Sequence, residues 1–566
     1  MPGIVRRVLF YAAVGLAAPA ARAGDVPPTE APPGPDARFY LATRTVPDYV
    51  ERGARGAALW GAVQAFYRAR DYRLAWVAAG RESAEATAVA RLVEQAESEG
   101  LDGARYGVEP GGPRAVTAAF NGAPPSDADA VQDVQLTYVF LRYAADLSGR
   151  FDPKTAGPFW LTRAPPRDLA PWLEQSLRSG DVVAAFAALS PAHTAYGTLK
   201  AALARYREIA RKGGWDALPP HLTLRRGSRG PQVSALRTRL AVEGDLPSAA
   251  ASGPADAYDA SLAEGVKRFE RRHGLPADGV LGAATVAALN VPVEERLHQI
   301  ELNLERWRWL PAELGRRYVM VNVPSFQLAA HEDGQPPVTM KVVTGKPDSP
   351  TPVFSDEMTT VVFSPYWNVP PTIAEDEIIP AVSRDPGYLQ RNNLELVRGT
   401  QVVGPAALRR GDVQIRQRPG TRNSLGLVKF VFPNPFGVYL HGTPADALFA
   451  RPRRTFSHGC VRVEKPFALA RWVLSGMPAW TPAAIQAAMR SGRERHLALP
   501  EPVPVYITYQ TVQASHDGTV FFWPDVYGHD GAQMTLMPAP SSLPPVPSIA
   551  AAPLRQWPDP AAAARN

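Results

Sequence analysis

The sequence predicts a multidomain α+β protein: a helical domain interrupted by a compact unit, then a β-rich domain that carries a long insertion. Three observations predict it. A chain of 566 residues exceeds what one hydrophobic core serves, since cores stop growing near ~300 residues. Apolar residues recur at helical spacing as far as Leu310 and alternate with a period of two from Arg317 onward. The strand series then breaks from about Thr372 to Asn423, a polar, Pro-containing stretch too long for an ordinary loop.

The first residues are Arg6 and Arg7, the apolar run Val8 to Ala18, and Ala21-Arg22-Ala23 before Gly24. This is the pattern of a cleaved export signal over residues 1–23. The apolar run is shorter than the ~20 residues a membrane span needs, and no later stretch is long and apolar enough. A Pro-rich linker over 24–38 follows. Helices are expected where Leu59, Val63, Phe66 and Tyr67 share a face, where Val89, Leu92, Val93 and Ala96 do, and where Leu136, Val139, Phe140, Tyr143 and Leu147 do. Further helices are expected at Trp172 to Leu177, Val182 to Leu189 and Leu199 to Ile209, the last stopped by Gly213-Gly214. After a compact unit at 224–290, helical spacing resumes from Val293 to Leu310, which places that unit as an insertion.

Strands are expected at Tyr318 to Val323, Phe326 to His331, Val338 to Val343, Thr359 to Phe363, Val428 to Phe432 and Val438 to His441, with Asp333-Gly334 as a hairpin turn. Two more, Val503 to Val512 and Thr519 to Trp523, are expected to join across Asp517-Gly518. Within the insertion, Ile373, Ile378, Ile379, Val382 and Leu389 offer apolar anchors. After Met537 the Pro- and Ala-rich composition predicts a disordered tail.

The formal charge of +7 and pI near 9.4 fit an anionic partner or surface, or an Arg-rich composition without functional meaning. Nucleic acid is disfavoured, because the arginines are scattered and an exported chain rarely meets it. The chain has one cysteine, Cys460, so an internal disulfide is excluded. Cys460 lies near two histidines in Tyr439-Leu440-His441-Gly442-Thr443-Pro444 and Arg454-Thr455-Phe456-Ser457-His458-Gly459-Cys460-Val461-Arg462-Val463. A thiol attacks as thiolate, and an imidazole takes its proton, so a Cys-His pair is available. Amides around Gly459 and Cys460 are candidates for an oxyanion site, and Tyr439 shares a strand face with His441. A zinc site is the rival reading, but the spacing fits no structural pattern and lacks an evident fourth ligand.

The segment from His441 to Cys460 resembles the signature of YkuD-type L,D-transpeptidases, a histidine followed some twenty residues later by Ser/Thr-His-Gly-Cys. Ser364-Pro365-Tyr366-Trp367-Asn368-Val369-Pro370-Pro371 and Pro524-Asp525-Val526-Tyr527-Gly528 extend the resemblance to the larger YcbB-like subgroup. The unit opening Leu224-Arg225-Arg226-Gly227-Ser228-Arg229-Gly230-Pro231 resembles the three-helix peptidoglycan-binding module, with Arg237 and Glu270 where that family commonly has Gln. The resemblance implies a helical scaffold domain (39–221, resuming at 291–312), a peptidoglycan-binding-like module (222–290), a catalytic domain (315–530) with a capping insertion (372–423), and a tail (538–566).

For the site it implies Cys460 as nucleophile and His441 as base, oriented by the Gly442 carbonyl. His458 and Gly459 shape the oxyanion region beside Tyr439. Arg462, Trp367 and Ser457 serve the substrate, Arg462 as a carboxylate contact or else a structural ion pair, and Arg454 supports. The implied activity is 3→3 crosslinking of tetrapeptide stems with release of D-Ala, in the periplasm, with no metal or organic cofactor. Peptidoglycan is the implied partner, beside other wall-synthesis enzymes. An L,D-carboxypeptidase on the same cysteine and an inactive wall-binding scaffold are the other readings.

Overall fold

A computed structural model describes residues 37–42, 46–107, 125–157, 160–161, 167–246, 255–385, 387–410 and 413–537. The export signal, most of the linker and the tail lie outside the described residues. The first helix, Arg38–Ala42, begins inside the stretch assigned to the linker.

Helices Ala54–Ala69, Ala84–Glu94, Pro125–Leu147, Leu169–Arg178 and Val182–Ala187 surround one core in which Val63, Phe66, Val89, Val93, Leu136 and Phe140 are buried. The apolar spacing read from sequence is the face each helix turns inward. Asp133 staples this core: its carboxylate accepts the Ala75, Trp76 and Val77 amides and the Tyr67 hydroxyl. Thr194–Arg211 packs along Val293–Arg308, and Leu203, Tyr206, Ile300 and Leu304 share a core with Tyr506, Val512 and Phe522 of the β-rich part.

The inserted module has helices Pro231–Val242, Ala260–Arg272 and Ala283–Leu289 around Val233, Leu236, Leu240, Leu262, Val266 and Phe269. It is fused to its surroundings. Glu243 joins Arg239 at 2.6 Å and Arg272 at 3.0 Å, and accepts the Tyr206 hydroxyl at 2.5 Å. Arg272 also donates to the Val520 carbonyl, and a Cβ on Gly274 would stand 2.9 Å from Pro524.

The two departures from the module signature are internal. Arg237 is buried and donates to the Ala257 carbonyl and Asp259. Glu270 is fully buried, accepting the Gly279 amide at 2.9 Å and the Thr285 hydroxyl at 3.0 Å. Neither forms part of an exposed glycan-binding face. Burial raises the Glu270 pKa, so its charged form costs stability at neutral pH, and the cost disappears as pH falls below that pKa. An amide would keep both contacts, its oxygen to Gly279 and its NH2 to Thr285. Glu270→Gln is therefore expected to melt higher than the parent at pH 7.5, the two converging in acid. A lower melting temperature at pH 7.5 would refute this.

The β-rich part is a nine-stranded sheet. Its strands are β1 (Arg317–Asn322), β2 (Gln327–Glu332), β3 (Gln335–Gly345), β4 (Phe354–Phe363), β5 (Val428–Val431), β6 (Leu440–His441), β7 (Thr455–Ser457), β8 (Val461–Val463) and β9 (Arg495–Thr508). Their order is β7-β3-β8-β6-β5-β4-β9-β1-β2. The long β3 pairs with β2 through its first part and with β8 and β7 through its end, so the sheet closes on itself. Asp333-Gly334 forms the tight turn between β2 and β3, with Gly334 at φ +72°. Helices Pro466–Val473 and Pro482–Arg490 cover it through Leu469, Ala470, Ile485 and Met489.

Two readings change here. The stretch Val503 to Val512 is not one strand: β9 ends at Thr508, and Val512–Ala514 pairs instead with Val520–Phe522 in a separate hairpin. The insertion is more regular than its composition suggests. After short helical turns over 371–391, strands Leu394–Arg398, Gln401–Val403 and Gln414–Gln417 join Trp367–Asn368 in a four-stranded sheet. Ile378, Val382 and Leu389 are buried in its own core with Leu394, Leu396 and Ile415, while Ile379 is exposed. Asn423 closes the base, donating to the Pro365 and Arg418 carbonyls.

Candidate active site

Three neighbouring strands build the site. Lys429 on β5 stands in register with His441 on β6, and His441 with Arg462 on β8. Successive residues of a strand face opposite ways. Phe430, Leu440 and Val461 therefore enter the core, and Lys429, Tyr439, His441 and Arg462 share the other face. Cys460 immediately precedes β8, where the Val461 amide donates to the Tyr439 carbonyl at 3.2 Å. Nucleophile candidate, tyrosine and histidine thus sit on adjoining parallel strands, with the Tyr439 and His441 rings 5.6 Å apart.

His441 is buried, and its Nδ1 lies 2.6 Å from the Gly442 carbonyl oxygen. A carbonyl accepts, so Nδ1 carries the proton and Nε2 keeps its lone pair. Burial first, then the Arg462 and Lys429 charges, hold the imidazole pKa down at about 3 against the pull of the Gly442 carbonyl. The Cys460 sulfur is within hydrogen-bonding reach of Tyr439 and 3.9 Å from the Gly437 carbonyl oxygen. Cys460 keeps part of its surface open, yet the crowding around its sulfur raises the thiol pKa. Tyr439, Arg462 and Lys429 oppose that rise. At neutral pH Cys460 rests as a thiol and His441, on the adjoining strand, as a neutral imidazole. Burial also pushes the Tyr439 pKa well up, so its hydroxyl stays a donor.

The loop before Cys460 is held from below. Gly459 has φ +109°, a conformation that favours glycine. The Ser457 hydroxyl donates to the Cys460 carbonyl at 2.5 Å and accepts the Gly459 amide at 3.2 Å. The Gly459 amide, expected at the oxyanion, is engaged here by Ser457, and Ser457, expected at the substrate, is buried beneath the loop. Thr351 donates to the Gly459 carbonyl at 2.7 Å, and Tyr527 braces the same corner by donating to the Gly345 carbonyl at 2.7 Å.

His458 lies 2.9 Å from the Glu377 carboxylate, so the insertion touches the residue two before the cysteine's own position in the chain. The two imidazoles hold different partners, and no group of three or more His, Cys, Asp or Glu suited to a metal occurs among the described residues. Trp367 belongs to the insertion's small sheet and packs on its core, where the sequence reading set it along a substrate groove. Arg454 is buried, donating to the Val342, Arg451 and Phe326 carbonyls.

Sequence reasoning missed Lys429 and Gly426. Lys429 interrupts the apolar run Val428 to Phe432, and that lone cation was the available signal. Gly426, at φ +64°, closes the turn from Asn423 and lies against the chain at Gly442: a Cβ there would stand 2.7 Å from the Gly442 carbonyl carbon. Gly426→Ala is expected to cost about 3 kcal/mol, adding left-handed strain to a backbone clash, and to slow turnover at least about tenfold by moving the carbonyl that orients His441. Gly437→Ala is the control, with φ +64° and nothing within 4 Å of its Cβ, and should cost only about 1 kcal/mol. Equal melting temperatures for the two variants would refute the role of the close approach.

Residues 316–482 match the YkuD family, described as the L,D-transpeptidase catalytic domain. The chain carries a YkuD L,D-transpeptidase domain. Residues 61–203 match a family described as "Scaffold domain", and 229–289 one described as "Putative peptidoglycan binding domain". A curated relative, "Putative L,D-transpeptidase" of Haemophilus influenzae (strain Rd), is 30% identical over 239 residues, 41% of this chain and 48% of its own. The chain thus spans about half the length of that relative.

Among solved structures, the L,D-transpeptidase of Xylanimonas cellulosilytica is 18% identical at a TM-score of 0.16, over 51% of this chain and 98% of its own. The L,D-transpeptidase of Stackebrandtia nassauensis is 17% identical at 0.20, over 45% of this chain and 91% of its own. Scores this low add nothing to the fold as described. The YkuD match spans His441, Gly442, Ser457, His458, Gly459, Cys460 and Arg462, and the whole insertion lies within it. No helix among the described residues is long and apolar enough to cross a membrane.

Proposed function

We propose that this protein is an exported L,D-transpeptidase that forms 3→3 crosslinks between peptidoglycan tetrapeptide stems through a Cys460 thioester. The observation that carries the reading is the Nδ1 contact of His441 to the Gly442 carbonyl, which leaves Nε2 as a neutral base on the strand beside Cys460. The Cys460 sulfur attacks the carbonyl joining diaminopimelate to the terminal D-Ala, and its proton passes to His441 Nε2. The tetrahedral oxyanion collapses, the C–N bond breaks, and D-Ala leaves with that proton on its amine. The side-chain amine of a second stem then attacks the thioester, gives a proton to His441, and expels the Cys460 thiolate, which takes the proton back. The cycle is balanced without a redox or metal step.

Tyr439 is the donor to sulfur, and to the charge that develops beside it. Arg462 is the cation for a substrate carboxylate. Its Nε is buried without a hydrogen-bond partner, and it makes no ion pair with a carboxylate among the described residues, which favours a substrate contact over a structural pair. The insertion, tied to His458 through Glu377, shields the thioester from water long enough for an amine to arrive. The peptidoglycan-binding domain supports the wall as the place of action, in the periplasm. The test is mass spectrometry of muropeptides from purified sacculi treated with the protein: 3→3 dimers and free D-Ala are expected. Tripeptide stems without dimers would replace this reading by an L,D-carboxypeptidase.

A further inference from the structure

Lys429 takes no part in the proton transfers above, although its charge acts on both His441 and Cys460 and it stands on the catalytic face. It is half-buried on the middle of β5, one strand from His441, with Arg462 one strand away on the other side. Its ammonium lies 5.5 Å from the centre of the Tyr439 ring, the ring that approaches the Cys460 sulfur. It makes no ion pair with a carboxylate among the described residues. The nearby acid, Glu494, is taken up by the Tyr366 amide at 2.8 Å and by His496 at 3.4 Å. Arg462 likewise lacks a carboxylate.

Two cations therefore flank a neutral imidazole, in a region where burial makes an unpaired charge costly. Among the described residues Glu494 acts on Lys429 without forming an ion pair, and the charge that acts on both cations is a thiolate at Cys460. Lysine at a strand position between Val428 and Phe430 has no packing reason to be cationic, since an apolar side chain would serve the same half-buried space. With one strand between them, the two cations rise from backbones roughly 10 Å apart. That span suits two carboxylates of one short peptide.

Resting on the transpeptidase reading, we infer that Lys429 and Arg462 together form a two-cation subsite flanking His441, and that it selects an acyl donor carrying two carboxylates. One belongs to the leaving amino acid and one to the side chain of the residue that supplies the scissile carbonyl. Lys429 is then a specificity-determining residue: it distinguishes a donor whose side-chain carboxylate is free from one in which it is amidated.

The first test needs no turnover. Cys460 is alkylated with iodoacetate and with iodoacetamide, which attack through the same thiolate and differ in charge, so their rate ratio reports the local anion affinity and cancels any change in thiol ionisation. Lys429→Met is expected to lower the iodoacetate-to-iodoacetamide ratio at least about fivefold, and Lys429→Arg to restore most of it. An unchanged ratio in Lys429→Met overturns the subsite. The second test compares D-Ala release from tetrapeptide donors with a free or an amidated side-chain carboxylate. Lys429→Met should raise KM for the free-carboxylate donor about tenfold and leave the amidated donor near its parent value. An equal rise for both overturns the specificity role. If the parent protein releases D-Ala from neither donor, the transpeptidase reading fails, while the alkylation ratio still decides the anion subsite.

Discussion

Cys460→Ala keeps its fold and loses acyl transfer by at least about ten-thousandfold. Cys460 is the chain's single cysteine, so no second thiol can take over. The neighbouring hydroxyls are a poor replacement. Tyr439 has its pKa pushed far up by burial, and Ser457 is buried and committed to the Cys460 carbonyl and the Gly459 amide. Removing one sulfur from a partly open position costs little stability, within about 1 kcal/mol, because the loop is held through backbone contacts that alanine retains. The check is D-Ala release from a tetrapeptide donor together with thermal melting. Release at even one per cent of the parent rate, with the melting temperature intact, would remove Cys460 from the role of nucleophile.

His441→Ala should reduce transfer about a thousandfold at pH 7, the scale expected for loss of a positioned general base. The depressed imidazole pKa sharpens the expectation. With His441 neutral above about pH 3 and the thiol pKa raised, the parent has no preformed thiolate to lose. What disappears is the acceptor of the thiol proton. Hydroxide substitutes for it as pH rises, so the deficit should shrink by up to about tenfold per pH unit until the thiol itself ionises. Coincident pH profiles for parent and variant would exclude His441 as base and turn attention to His458.

The same burial has a stability consequence. The folded pKa of His441 lies below its ordinary value, so the unfolded chain binds the proton first as pH falls. Stability is full above about pH 6.5 and is lost towards pH 3, by at most about 1.4 kcal/mol per pH unit. His441→Ala should therefore show a flatter decline of melting temperature between pH 6 and pH 4, even though its absolute stability at pH 7 is lower for the cavity it leaves.

Much of this molecule was legible one residue at a time. The spacing of Leu59, Val63, Phe66 and Tyr67, or of Leu136, Val139, Phe140 and Tyr143, is the buried face of a helix because 3.6 residues make a turn, and no distant partner changes that. Asp333-Gly334 specifies its hairpin because glycine supplies the positive φ the turn needs. The cysteine, the two histidines and the glycine before the cysteine stand within a stretch short enough to be read together. The insertion was visible as an interruption, though not its strands, since Leu394–Arg398 and Gln414–Gln417 are short and mix charged with apolar residues. They are held by pairing with each other and with Trp367–Asn368, which lies far back in the chain.

What the chain by itself determined is the set of elements and the chemical groups: helices, strands, and a thiol with imidazoles nearby. Only the tertiary structure decided which groups face each other and in what ionisation state. Strand register is a long-range property, because it pairs residues by position across a sheet and not by distance along the chain. It sets Lys429 beside His441 and His441 beside Arg462, while the packing of the insertion brings Glu377 to His458. Burial is equally non-local. Desolvation, joined by two cations on flanking strands, holds the His441 imidazole neutral, and the sequence around His441 contains Lys429 and Arg462 without showing that they face it.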